Sequence, residues 1–430
     1  METSSTYQES YKTSRILYII EACFENFIIV LVTGAFLATL TSRLGISDSL
    51  TAILSSIASL SYLFQLVSIY LAHKTPVKRW VIPIQLLAHI MFASLYLLPV
   101  LNIKRGAAVI FFMLVLGAYT LKSIIQPIKI NWFYSLVSPK KQGSFTAILT
   151  AISVIGQIFF SLFASLMFDH FVNSGNDRAA FVSLTITIFI IIVADIIPLI
   201  FSKEKKDVIP TAKQPSPFSS ISDTIKNRGF LVLIISGAIS SIGSGMTAPF
   251  LATYQINELG FSLSFVAIID IIVNAFWIGS LFFFGRLSSK KSYAFVLRTS
   301  YILRIFSTMA IIITVPSNGA ILFTIYRIIE IIARSAFGVS SRSLLLGIVE
   351  AKNRTSALSL YTVITGVITF LTTLAMTPIV SAIQSNGGIN IFSFNLYAQQ
   401  FIAIINVFVL IILNIYVAIR YKQLKIEIIE

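Results

Sequence analysis

Long apolar runs separated by short segments that carry most of the basic residues leave this chain few folds to choose from. The runs lie at about 14–40, 49–73, 80–102, 106–134, 143–169, 179–202, 229–254, 261–285, 294–316, 318–346, 356–383 and 397–420. A helix needs about 20 mostly apolar residues to cross the hydrocarbon core of a bilayer. None of the runs shows the apolar-polar alternation of a barrel strand, and an unpaired strand cannot cross lipid because its backbone stays unsatisfied. The expected fold is therefore an all-α integral membrane protein with about twelve transmembrane helices. Composition agrees, with 56% hydrophobic and 11% charged residues, where soluble domains average about 25% charged. The first run carries Glu21 and Glu25 and has no small-residue cleavage site. It reads as a retained span rather than a signal peptide.

The formal charge of +15 invites a nucleic-acid reading, which its distribution excludes. The bases sit in alternate connections: Lys12 and Arg15; Lys74, Lys78 and Arg79; Lys140 and Lys141; Lys203 to Arg228; Arg286, Lys290 and Lys291; Lys352 and Arg354; Arg420, Lys422 and Lys425. The intervening loops hold Arg43, Lys104, Arg105 and Arg178. Basic residues favour the cytoplasmic side, so both termini are expected inside, in the plasma membrane. The polar, basic, proline-bearing stretch 203–228 divides the chain into six spans at 1–202 and six at 229–430. It reads as a cytoplasmic linker.

The two halves repeat. When Lys78 is laid on Lys290, Arg79 meets Lys291, Lys122 meets Arg334 and Ser123 meets Ser335. Without a gap, Val137, Lys140, Ser144, Thr150 and Ile152 then meet Val349, Lys352, Ser356, Thr362 and Ile364. Six spans per half give both halves one orientation, hence two pseudo-symmetric six-helix bundles about an axis along the membrane normal.

With six plus six spans, a basic central linker and a degraded loop motif, the chain resembles the major facilitator superfamily. The motif's second copy reads Gly285-Arg286-Leu287-Ser288-Ser289-Lys290, with Ser289 where the family has Asp. The first reads His73-Lys74-Thr75-Pro76-Val77-Lys78, without Gly or Asp. Gly285, Arg286 and Lys290, with Lys78 and Arg79, are the expected gating-loop residues. The resemblance implies a monomeric secondary transporter working by alternating access, with spans 1, 4, 7 and 10 lining its cavity. Span 5 has Gly156 without the family's drug-antiporter pattern.

Charges inside spans are costly, roughly 2.5–3.5 kcal/mol each on insertion scales, and mark functional positions. Glu21 and Glu25 lie one turn apart on span 1, beside Asn26, and a pair between Glu25 and Lys122 of span 4 is expected. Asp270 and Asn274 lie one turn apart on span 8, and Arg327, Glu330 and Arg334 follow one stripe of span 10, with Glu330 expected between the two arginines. Glu25 is the preferred proton carrier, followed by Glu21, Asp270 and Glu330. Each can instead serve as a fixed ion pair. Lys122, Arg334, Arg327, Asn26 and Asn274 are the candidate substrate contacts, arginine being suited to carboxylates and phosphates. His89 reads as a packing residue, Asp195 as a partner of the inner basic rim, and Ser240, Ser241, Ser244, Gly237, Gly243 and Gly245 as close helix packing. Arg304 has no account from sequence.

The three histidines lack metal-ligand spacing, and no phosphate-binding glycine loop is present. No metal, cofactor or enzyme activity is expected. The expectation is a secondary active transporter of a small polar or charged organic solute, coupled to H+. Two rivals stay open. One is a multidrug or lipid-like efflux pump of the same superfamily, and the other is a membrane enzyme or receptor.

Overall fold

The structure is a computed structural model that describes residues 11–67, 76–103, 106–137, 142–204, 225–349, 354–391 and 394–424. Each predicted run contains helix. In chain order these are α1 (Lys12–Leu31), α2 (Gly34–Arg43), α3 (Asp48–Ser61), α4 (Lys78–Val100), α5 (Ala107–Ser135), α6 (Gln142–Asn173), α7 (Asp177–Phe201), α8 (Arg228–Thr247), α9 (Leu263–Lys290), α10 (Tyr293–Ile312), α11 (Gly319–Ile348), α12 (Arg354–Ser385) and α13 (Ala398–Ile419). A short antiparallel hairpin, β1 (Ile389–Ile391) and β2 (Phe394–Leu396), joins the last two helices.

Among the described residues, nine helices are long and apolar enough to cross a membrane, or ten if the bent pair α1 and α2 is one span. The other two predicted spans are explained locally. α11 is long enough but carries Arg327, Glu330 and Arg334 in its middle. The described part of span 2 is α3 followed by a 3-10 turn, Tyr62–Leu66, and the rest of that run falls outside the described residues.

Three departures from the predicted helices have local causes. Span 1 is broken, because Thr33 is extended and Gly34 sits at φ 56°, where a residue without Cβ is at ease, so α1 and α2 meet at 41°. Span 7 does not end cleanly. After α8 the chain runs through a 3-10 turn containing Pro249 and a π-helical turn, Tyr254–Glu258. Span 8 is longer than expected. Gly285, Arg286 and Lys290 were placed in a loop, yet α9 stays helical to Lys290, since exposed basic side chains can extend a helix past its apolar stretch.

The described helices form two units, each with its own contacts. Of the described residues, one contains those within 11–47, 61–204 and 262–267, the other those within 48–60, 225–261 and 268–424. Asp48–Leu60 groups with the second unit, where Asp48 accepts from Asn257 Nδ2 at 2.6 Å and from Gln384 Nε2 at 3.1 Å. Most of the linker at 203–228 lies outside the described residues.

Inside the first unit α1 packs on α6 and α7, and α4 packs on α5 and α7. Inside the second, α8 packs on α12 and α13, and α10 packs on α11 and α13. Counted as spans, first on fifth and sixth matches seventh on eleventh and twelfth, and third on fourth and sixth matches ninth on tenth and twelfth. The repeat legible in the sequence is thus a repeat of packing. Outward faces are apolar, for example Phe159, Phe201, Phe282 and Ile419, as lipid contact requires.

Candidate functional site

Each unit buries one cluster of charge, and the clusters have opposite balance. In the first unit α1 turns Glu21 and Glu25 inward, both buried. Lys122 Nζ of α5 lies 2.9 Å from Glu25 Oε1, so the expected pair is present in the geometry. Two turns further along the same face of α5, Lys129 is wholly buried, and its Nζ lies 2.7 Å from Glu21 Oε1 and 2.6 Å from Glu25 Oε2. Sequence reasoning passed over Lys129, because a lysine near a helix end usually reaches for the interface. Its seven-residue spacing from Lys122 was the available signal.

The cluster continues through α4. Lys129 donates to Gln85 Oε1 at 3.2 Å, and Gln85 Nε2 donates to Glu21 Oε1 at 2.8 Å and to Asp195 Oδ2 of α7 at 2.7 Å. His89 Nδ1 lies 3.1 Å from the same Asp195 oxygen. Asp195 therefore does not reach the basic rim expected for it: it is wholly buried, where Gln85 donates to it and His89 lies beside it. Burial makes such a network all-or-nothing, since a charge left unpaired there costs several kcal/mol. Asn26 is half-buried and lies outside this network.

In the second unit Glu330 of α11 is not held between Arg327 and Arg334 as expected. Arg334 Nε donates to Glu330 Oε1 at 3.1 Å, Ser307 Oγ donates to Oε2 at 3.0 Å, and Arg304 Nε of α10 lies 3.7 Å away. Arg327 points elsewhere, to Asp270 Oδ1 of α9 at 2.6 Å. Three residues back from Glu330 on a helix of 3.6 residues per turn, the side chain falls on a neighbouring stripe. Asn274 turns back on its own helix, donating to the Asp270 carbonyl at 2.7 Å. Arg304 now has an account, because its Nη atoms donate to Ser240 at 2.8 Å and Ser244 at 2.9 Å on α8. Those serines are hydrogen-bond acceptors as well as packing residues.

A polar cavity of about 10 Å³, room for roughly one water-sized group, lies among Arg304, Glu330, Arg334, Tyr326, Gln399 and Asn406. Buried Gln399 Oε1, Asn406 Oδ1 and Arg304 Nε around it have no hydrogen-bond partner. Arg334 borders it with its side chain 55% exposed, the most accessible charge of the cluster.

The expected gating residues sit apart from both clusters. At the start of α4, the Glu204 carboxylate accepts from Val77 N at 2.6 Å and Lys78 N at 3.3 Å, and Lys78 Nζ donates to the carbonyls of Ile200 and Ser202 at the end of α7. An acid at a helix start and a base at a helix end both suit the helix dipole. Arg79, Arg286 and Lys290 are exposed, and the first motif copy up to Thr75 lies outside the described residues. Among the described residues no group of His, Cys, Asp or Glu is arranged to hold a metal.

The sequence matches the family model described as Major Facilitator Superfamily over residues 16–373. No curated protein matches it. Among solved structures, the nucleoside transporter NupG, in a mutant form, superposes with a TM-score of 0.73 at 14% identity, covering 96% of this chain and 99% of that one. A bacterial homologue of the human lysosomal transporter Spinster gives 0.72 at 14%, with 98% of each chain covered. A bacterial homologue of the iron transporter ferroportin gives 0.68 at 14%, with 96% and 98% covered. Likeness at this identity speaks for the fold, and the family model carries the assignment: the chain belongs to the Major Facilitator Superfamily and is a multi-pass membrane transporter, not an enzyme.

Proposed function

We propose that this transporter moves a small organic solute bearing an anionic group, by alternating access, and that H+ is the coupling ion. The observation that carries the reading is the opposite imbalance of the two buried clusters. In the first unit Glu21, Glu25 and Asp195 face Lys122 and Lys129, one carboxylate more than ammonium groups. A proton completes that balance. In the second unit Arg304 and Arg334 face Glu330, one guanidinium more than carboxylates, while Arg327 and Asp270 pair with each other apart from it. A carboxylate or phosphate of the solute completes that one. Arg334 is the preferred contact, being half exposed and engaged with Glu330 through Nε. Lys122, partly exposed beside Glu25, is the second.

Glu25, between two lysines, is the point where a change of protonation in the first cluster alters what Lys122 can offer a solute. Glu21 belongs to the same network. Asp270 and Glu330, each already paired with arginine, are the weaker coupling candidates. The distribution of bases supports a plasma-membrane protein with both ends in the cytoplasm. The solved structures it resembles include a nucleoside transporter and a homologue of an iron transporter, so the solute has to come from the charges of this chain.

A thermal-shift screen of the purified protein tests the reading. Its panel holds amino acids, peptides, organic anions, sugars, lipophilic cations and lysolipids, since a ligand that binds the folded state raises its melting temperature. Stabilisation by anionic or zwitterionic solutes, lost in Arg334→Ala or Lys122→Ala, is the expected result. Stabilisation confined to lipophilic cations or lysolipids and indifferent to both changes would replace this reading with multidrug or lipid-like efflux.

A further inference from the structure

The first unit's cluster has a branch that the solute-facing reading does not use. Gln85, His89 and Asp195 lie on its far side from Lys122, and their relative exposures are 1%, 1% and 0%. Asp195 Oδ2 accepts from Gln85 Nε2 and lies 3.1 Å from His89 Nδ1, while Asp195 Oδ1 and His89 Nδ1 are both buried without a hydrogen-bond partner. Glu21 Oε2 is likewise buried without one.

The charges assign themselves in order. Lys122 serves Glu25, and Lys129 bridges Glu25 and Glu21. Those two lysines neutralise those two glutamates. Asp195 is left with a neutral amide and an imidazole. A fully buried carboxylate without a countercharge is expensive, and histidine is the side chain that can gain a positive charge near neutral pH.

We propose that the exchangeable proton of this transporter resides on the His89–Asp195 pair, carried by the imidazole as the countercharge of Asp195, with Gln85 linking the pair to Glu21. The site takes a proton and nothing larger. The other charged groups of its network are Glu21 and Glu25 from α1 and Lys122 and Lys129 from α5. Arg43 of α2 is occupied by Asp177. The consequence for transport rests on the proton-coupled reading above, but the site itself does not.

The charge count makes a distinction that loss of an acid cannot. Converting any of the three carboxylates to an amide removes the need for the proton, wherever it sits. Converting His89 to Gln leaves the carboxylates alone and removes the place for it.

The chain has three histidines, so nitrogen-15 NMR of histidine-labelled full-length protein in detergent resolves them, with His89→Gln marking the signal of interest. At neutral pH the His89 ring carries two protons in the wild type and one in Asp195→Asn, which keeps the shape and alters the charge. A singly protonated His89 in both overturns the proposal, whether or not His89→Gln folds. In proteoliposomes, His89→Gln loses proton-driven accumulation of the solute found in the thermal screen and keeps counterflow of it. Proton-driven accumulation that survives in His89→Gln also overturns it. A doubly protonated His89 in a protein whose solute flux ignores the proton gradient keeps the site and removes the coupling reading instead.

Discussion

Lys129 shows what a single residue does in this fold. It is fully buried and holds Glu21, Glu25 and Gln85 to one nitrogen. Removing one partner of a buried ion pair costs about 3–5 kcal/mol, whereas replacing the whole set by neutral groups is close to neutral. Lys129→Met is therefore expected to lower stability in detergent by about that much, and Glu21→Gln added to it should recover a large part, as read by thermal unfolding. Equal losses in the single and double variants would mean that Lys129 acts through packing rather than charge. At this scale the sequence was half legible. The Glu25–Lys122 pair was expected from opposite charges inside spans 1 and 4. The meeting of Lys129, Gln85, His89 and Asp195 was not, because which of several polar side chains meet across three helices depends on rotation and crossing angle, and spacing along one helix does not determine either.

The helices are placed by small residues as much as by apolar ones. On α8 a Cβ at Gly245 would lie 2.5 Å from the Thr369 carbonyl oxygen of α12, a backbone atom that cannot turn aside. Gly245→Ala is thus expected to push α8 and α12 apart and cost about 1–3 kcal/mol. Gly279 on α9 has nothing within 4 Å of such a Cβ, so Gly279→Ala should be neutral or mildly stabilising by helix propensity, up to about 1 kcal/mol. Comparing the two melting temperatures checks both statements, and a larger loss at Gly279 would contradict them. Glycines 237, 243 and 245 read as close packing from sequence, and the approaches to Tyr361, Asn406 and Thr369 agree. The break at Gly34 and the π turn at Tyr254–Glu258 were not legible. Both interrupt runs that stay apolar, and hydropathy is blind to a change in backbone hydrogen bonding.

For the whole molecule, the duplicated packing and the opposite charge balance are the two facts any account has to join. The repeat gives each unit the same helix contacts. Within that frame the buried cluster of one unit carries surplus acid and that of the other surplus arginine. If the arginine surplus receives the solute, Arg334→Ala should weaken solute binding tenfold or more, about 1.4 kcal/mol or above, and Arg334→Lys should restore it only in part, because a lysine cannot present the planar fork. Undiminished affinity in Arg334→Ala would move the anion site elsewhere. The claim that joins both clusters is that solute and proton move together or in exchange. The direct measurement is the internal pH of dye-loaded proteoliposomes when solute is added outside without any imposed gradient. The account predicts a pH change that needs the solute and vanishes in Glu25→Gln and in His89→Gln, while counterflow persists in both. Full solute flux with no accompanying pH change in the wild type would contradict it.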